Sequence, residues 1–85
     1  MKYNIKSLKN SESLKIIEKI NPVSYKFKKT KNIRYGFISQ EVKKIIPDIV
    51  KTENGLEKIN YIDIIAHLVS SVKMLKKEID LLKGH

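Results

Sequence analysis

The last third of the sequence carries the tightest constraint. Ile65, Leu68, Val72, Leu75, Ile79 and Leu82 follow one another at spacings of three, four, three, four and three residues. This is the a/d repeat of a helix that buries an apolar seam against another helix. Tyr61 lies one step upstream in the same phase, while Ser70, Ser71, Lys73, Lys76, Lys77, Glu78 and Asp80 supply a polar outer face. Lys76 and Asp80 stand one turn apart and can pair, for about 0.3 kcal/mol. A helix over 62–83 is about 33 Å long at a rise of about 1.5 Å per residue, more than a small head can cover. The alternative is an amphipathic helix folded back on its own domain, which leaves the distal apolar residues without a partner. Self-association is the expectation. Isoleucine or valine at a with leucine at d favours two strands in parallel coiled coils, although context overrides that preference. On the heptads alone, two or three strands stay open.

Size and composition push the same way. A chain of 85 residues has room for one domain, and such a domain buries only about 60% of the surface its unfolded form exposes. Chains this small usually need a staple. There is no cysteine, which removes disulfides and thiolate metal sites. With His67 and His85 as its two histidines, the chain offers little for a zinc site either, and no metal or cofactor is expected. Oligomerisation is the remaining remedy. His85, after Gly84 at the end of the chain, reads as a fraying terminus.

The net charge of +9 raises nucleic acid as an alternative partner. All the basic residues except Arg34 are lysines, however, whereas phosphate and guanine edges are read best by the planar arginine fork. The excess reads instead as a solvated basic surface, and a small basic nucleic-acid-binding module is kept as the alternative function. Met1 to Leu8 has no apolar core of a signal peptide, and no stretch approaches the roughly 20 apolar residues of a membrane span. No membrane partner is expected.

Along the chain, Met1 to Ser7 alternates weakly and suggests a short extended arm. Asn10-Ser11-Glu12 offers N-cap chemistry for a helix of about three turns carrying Leu14, Ile16, Ile17 and Ile20, closed by Asn21-Pro22. Val23 to Phe27 alternates as a strand with one buried face. The basic stretch Lys26 to Arg34 makes a turn, and Ile33, Tyr35 and Phe37 alternate again around Gly36. A glycine there suggests a positive φ or a close backbone approach. Ser39 is placed to cap a second helix, Gln40 to Ile46, with Val42, Ile45 and Ile46 inward and Pro47 as its stop. Ile49 to Tyr61 reads as a hairpin around Asn54-Gly55. That register sets Val50 against Ile59 but also Lys51 against Lys58, which suggests a loop longer than two residues.

No glycine-rich phosphate loop, zinc spacing or Ser-His-Asp arrangement can be argued. His67 sits beside the seam as a polar flank or interface residue, and Glu53 and Glu57 flank the hairpin as water-facing carboxylates. The sequence does carry a linked set of motifs: Gly36-Phe37-Ile38-Ser39-Gln40-Glu41-Val42, then Ile46-Pro47-Asp48-Ile49-Val50, together with Asn21-Pro22-Val23-Ser24-Tyr25, Ile59-Asn60-Tyr61 and the terminal Leu-Lys-Lys-Glu-Ile-Asp-Leu-Leu run. In order and spacing over nearly the whole chain, these resemble the C-terminal intramolecular chaperone, or auto-processing, domain of phage tail-spike and tail-fibre proteins of the endosialidase type.

The resemblance implies a mechanism. Such a domain forms a homotrimer that holds the upstream fibre chains of the same polypeptide together while they wind into a β-rich trimer, and then cuts itself off. Cleavage in the family uses a Ser–Lys dyad within an S-D-x-x-L-K segment. Met1 to Lys6 aligns with its end, so Lys2 is the candidate dyad base that activates the serine hydroxyl. The serine itself is expected upstream of Met1. Ser7 and Ser11 lie on the wrong side of Lys2, so this chain as it stands is not expected to cut itself. Gly36, Phe37, Gln40, Glu41, Asn60 and Tyr61 carry over as signature positions, and Ile65, Leu68, Val72, Leu75, Ile79 and Leu82 are the expected trimer interface. The expected fold is α+β, a single domain over 1–85. It has a head over 1–61 of short helices and strands with one hairpin, then a helix over 62–83 in a parallel trimeric coiled coil. By the same resemblance the chain is expected to be virion-associated, during assembly in the host cytoplasm.

Overall fold

The structure, a computed structural model, describes residues 1–84; His85 lies outside the described residues. After an extended arm come helix α1 (Asn10–Lys19), strands β1 (Val23–Lys26) and β2 (Ile33–Gly36), helix α2 (Ser39–Ile45) and a 3₁₀ turn (Pro47–Ile49). Strands β3 (Val50–Glu53) and β4 (Leu56–Ile59) lead into the long helix α3 (Tyr61–Leu82). The fold is α+β, with three helices and two antiparallel hairpins.

Two hairpins stand where one was expected. The segments on either side of the basic loop pair with each other, Val23 opposite Gly36 and Lys26 opposite Ile33. The sequence marked both strands and the turn, but the loop carries no short turn signature that would have fixed their pairing. In the second hairpin Val50 faces Ile59 and Glu53 faces Leu56 across a two-residue loop. Asn54 and Gly55 take φ of 51° and 77°, the left-handed pair of a type I′ turn. The Lys51–Lys58 juxtaposition is kept, so the expected longer loop is corrected. Glu53, diagonal to Lys58 on the same face, brings a carboxylate oxygen within 3.6 Å of the Lys58 ammonium and offsets the repulsion.

Both residues read as helix caps do other work. At the start of α1, Lys9 holds the cap position without a side-chain bond. Asn10 lies one step inside the helix, where its Oδ1 accepts from Ser70 Oγ of α3 at 2.7 Å. Likewise Ile38 precedes α2, while Ser39 Oγ donates to the Glu57 carbonyl at 3.4 Å. Long-range partners took these side chains from the local amides. Helix α3 does have a side-chain cap: Asn60 accepts from the amides of Ile62 (3.0 Å) and Asp63 (3.3 Å), while its own N–H donates to the Ile49 carbonyl at 2.7 Å.

The core is small. Val42 of α2, Ile49 of the 3₁₀ turn and Ile64 of α3 are buried, and Ile20, Phe37, Ile46, Val50 and Ile59 close around them. It lies under the first turn of α3, where the Asn60 cap aims the helix. The rest of α3 runs away from it. The radius of gyration is 16.1 Å, against about 12 Å for a compact chain of this length. The exposed surface is 7580 Å², against about 5,200 Å² for a compact monomer of this mass.

Asn60→Ala should lower stability by about 1 kcal/mol, the usual cost of a lost N-cap, measured by denaturant unfolding at fixed protein concentration. Asn60→Asp, which keeps an acceptor at the same place, should recover most of it.

Candidate functional site

Helix α3 has two long faces of opposite character. The first lies against α1, which runs antiparallel to it: Asn10 bonds Ser70, and Ser13, one turn on, meets His67, one turn back. Ser13 Oγ and His67 Nδ1 share a hydrogen bond at 2.9 Å, and Ser71 Oγ donates to the His67 carbonyl at 2.7 Å. Ser13, Ser70 and Ser71 are all buried. Buried hydroxyls are costly unless bonded, and each of these is. Their small size lets the two helices come close.

The Ser13–His67 pair has the makings of a nucleophile and base, yet its place argues otherwise. Ser13 is 1% exposed, so no scissile bond can reach its hydroxyl, and among the described residues no carboxylate bonds the imidazole to orient it. It is a helix-to-helix clasp. The sequence offered one clue to it: Ile64, His67, Ser71 and Met74 form a second stripe at three- and four-residue spacing, one residue ahead of the apolar one.

The other face is bare. Ile65, Leu68, Val72, Leu75, Ile79 and Leu82 are between 43% and 88% exposed, and Ile62 and Val69 beside them are 76% and 53% exposed. The six residues form one line along the helix, and among the described residues nothing covers it. Contiguous apolar patches of this kind mark interaction surfaces in soluble proteins. The stripe is wider than a strict a/d seam because Ile62 and Val69, at e positions, extend it on one side.

A profile of the family described as chaperone of endosialidase matches residues 1–51, from the extended arm through both helices of the head and the Gly36–Val42 motif. The chain belongs to this family. A search of curated proteins finds no match. The chaperone role rests on the match to the head, whereas the stripe on α3 lies beyond residue 51 and is read from its own residues.

The structure gathers three of the positions read from the sequence, Gly36, Phe37 and Tyr61, into one cluster. The Phe37 and Tyr61 rings lie 6.1 Å apart, joining the end of the first hairpin to the first turn of α3. A Cβ at Gly36 would meet the Tyr25 ring at 3.5 Å and the Tyr61 hydroxyl at 3.6 Å. Gly36 does not have a positive φ, so of the two reasons read for it, the close approach is the one that holds, and by rings rather than backbone. Gln40 and Glu41 are exposed on α2.

Lys2 lies in the exposed arm and makes no ion pair or side-chain hydrogen bond among the described residues. The two glutamates read as water-facing differ. Glu53 is exposed beside Lys58, but Glu57 is half-buried, with Oε1 held by Lys43 Nζ at 2.9 Å and Oε2 enclosed. Lys43 on α2 thus ties the second hairpin to the head. Lys26, Lys28, Lys29, Lys31 and Arg34 sit exposed on the first hairpin and its loop, outside the four ion pairs found among the described residues.

An alanine methyl at Gly36 would make ordinary contacts, so Gly36→Ala should unfold within about 0.5 kcal/mol of the parent. Gly36→Leu must displace both tyrosine rings and should cost about 1–3 kcal/mol, seen as a lower denaturation midpoint.

Proposed function

We propose that this chain is an intramolecular chaperone that works as a parallel homotrimer, holding the upstream chains of a fibre or spike protein in register while they fold. The bare apolar stripe of α3 carries the reading. It demands a cover, and a second and third copy of the same stripe supply one. The membership of the chaperone family supports the role in fibre folding. Three copies are favoured over two by the width of the stripe, because a helix in a trimer meets two neighbours and needs apolar residues over a broader arc. The a/d composition is that of a dimer, and we weigh the width and the family above it. In the family such a domain is then released by self-cleavage, for which Lys2 is here only the candidate base without its serine partner; a place on the virion during assembly belongs to the same reading by family.

The physics of such a role is direct. Chains that must wind in register lose much entropy before their distant contacts form. Tying their ends together raises each chain's effective concentration for its neighbours. A finished β-rich trimer then persists through its unfolding barrier after the tie is gone.

The test places this chain behind the β-rich shaft of a fibre from the same family and measures the yield of detergent-resistant trimer. With the native chain the shaft should assemble. With Leu75→Asp and Ile79→Asp together, the yield should drop at least tenfold, because two charges per helix at the seam face their own copies. Those residues lie beyond the core, so the head should keep its helical signal. Equal yields from both chains would defeat the proposal.

A further inference from the structure

An apolar groove runs beside the stripe. Ile17 and Ile20 of α1, Pro22, Phe37, and Ile64 and Leu68 of α3 line an open hollow of about 290 Å³. Leu68 belongs to both groove and stripe, so the two form one continuous surface. In heptad terms, with Ile65 at a and Leu68 at d, Ile64 and Ser71 are g residues and Ile62 and Val69 are e residues. The two flanks are treated differently. Ile64 and Ser71 on the g flank are buried by their own chain, whereas Ile62 and Val69 on the e flank stand exposed and apolar.

We propose that the groove seats Val69 of the neighbouring copy, so that each protomer's e flank docks against the α1-walled g flank of the next. The proposal rests on the self-association reading above and adds a second contact layer to it. Its ground is register. In a parallel coil the g residue of one helix lies beside the e residue of the following heptad on its neighbour, which sets Ile64 against Val69. The same rule two heptads on sets Glu78 against Lys83, opposite charges that make no ion pair among the described residues. An antiparallel arrangement would instead set e against e and leave the groove empty. A flank that fits its opposite on the next copy is a head-to-tail contact, which closes into a ring when the rotation allows. Helix α1 then acts as the outer wall of a pocket, which gives its serine-lined clasp on α3 a purpose: it holds the wall at a fixed distance.

The chain contains no cysteine, so engineered pairs report contacts cleanly. The full-length chain carrying Val69→Cys and Ile17→Cys, mildly oxidised, should give covalent dimers and trimers on a non-reducing gel, and either single variant should give far less. Val69→Cys with Phe37→Cys probes the opposite wall, and serves where the α1 variant loses helical signal. Leu68→Cys alone reports the seam, since d residues of parallel copies meet at the axis. Crosslinking through Leu68→Cys without crosslinking in either Val69 pair would overturn the groove proposal and leave the seam intact. Absence of crosslinks in all of them would overturn both.

Discussion

The structure depends on how one helix is divided between a face packed on its own chain and an apolar face left exposed. Helix α3 gives one face to its own chain, through the hydroxyls of Ser13, Ser70 and Ser71 and the imidazole of His67. It keeps its apolar face outside. In most amphipathic helices the apolar side turns to the chain's own core and the polar side to water. Here the hydroxyl-rich side turns inward. The serine and histidine bonds lie within the contact that positions α1, and the isoleucine, leucine and valine side chains of the stripe stay exposed beside it. Fully burying such a side chain contributes about 1.5–3 kcal/mol. Several per helix are comparable with the net stability of a whole domain, about 5–15 kcal/mol.

The head serves that division. Its core of Val42, Ile49 and Ile64 is sited where α3 begins, and the Asn60 side chain fixes the first turn there. The Gly36, Phe37 and Tyr61 cluster locks the first hairpin to the same turn. What the head supplies is a direction for the helix. The excess of exposed surface over a compact monomer, about 2,400 Å² relative to the size rule, reflects the helix and the extended arm projecting from it. A specific interface commonly buries about 800 Å² on each partner, well within that excess.

Much of this was legible in the residues, and the gaps have physical causes. The a/d stripe, the Asn54-Gly55 turn and the extent of α1 follow from periodicity and local backbone chemistry, which one segment can report by itself. The motif around Gly36 gave the family, and with it the chaperone role. Asn10 and Ser39 were misread because a short polar side chain looks the same whether it will cap its own helix or reach across to another. The Ser13–His67 clasp was missed for the same reason: serines within a helix read as solvent-facing until a second helix closes over them. Glu57 looked exposed because only the fold brings Lys43 beside it. The pairing of the first hairpin needed knowledge of what its loop would do. Apart from that hairpin, what hid from the sequence was a polar side chain meeting a partner far along the chain.

In the proposed homotrimer the stripe on α3 is covered by two further copies of this chain. The most direct measurement is the mass in solution, by sedimentation equilibrium across a range of protein concentrations. The account predicts a species of three times the 9.9 kDa chain that persists on dilution into the low micromolar range. A monodisperse 9.9 kDa monomer at high micromolar concentration would contradict it.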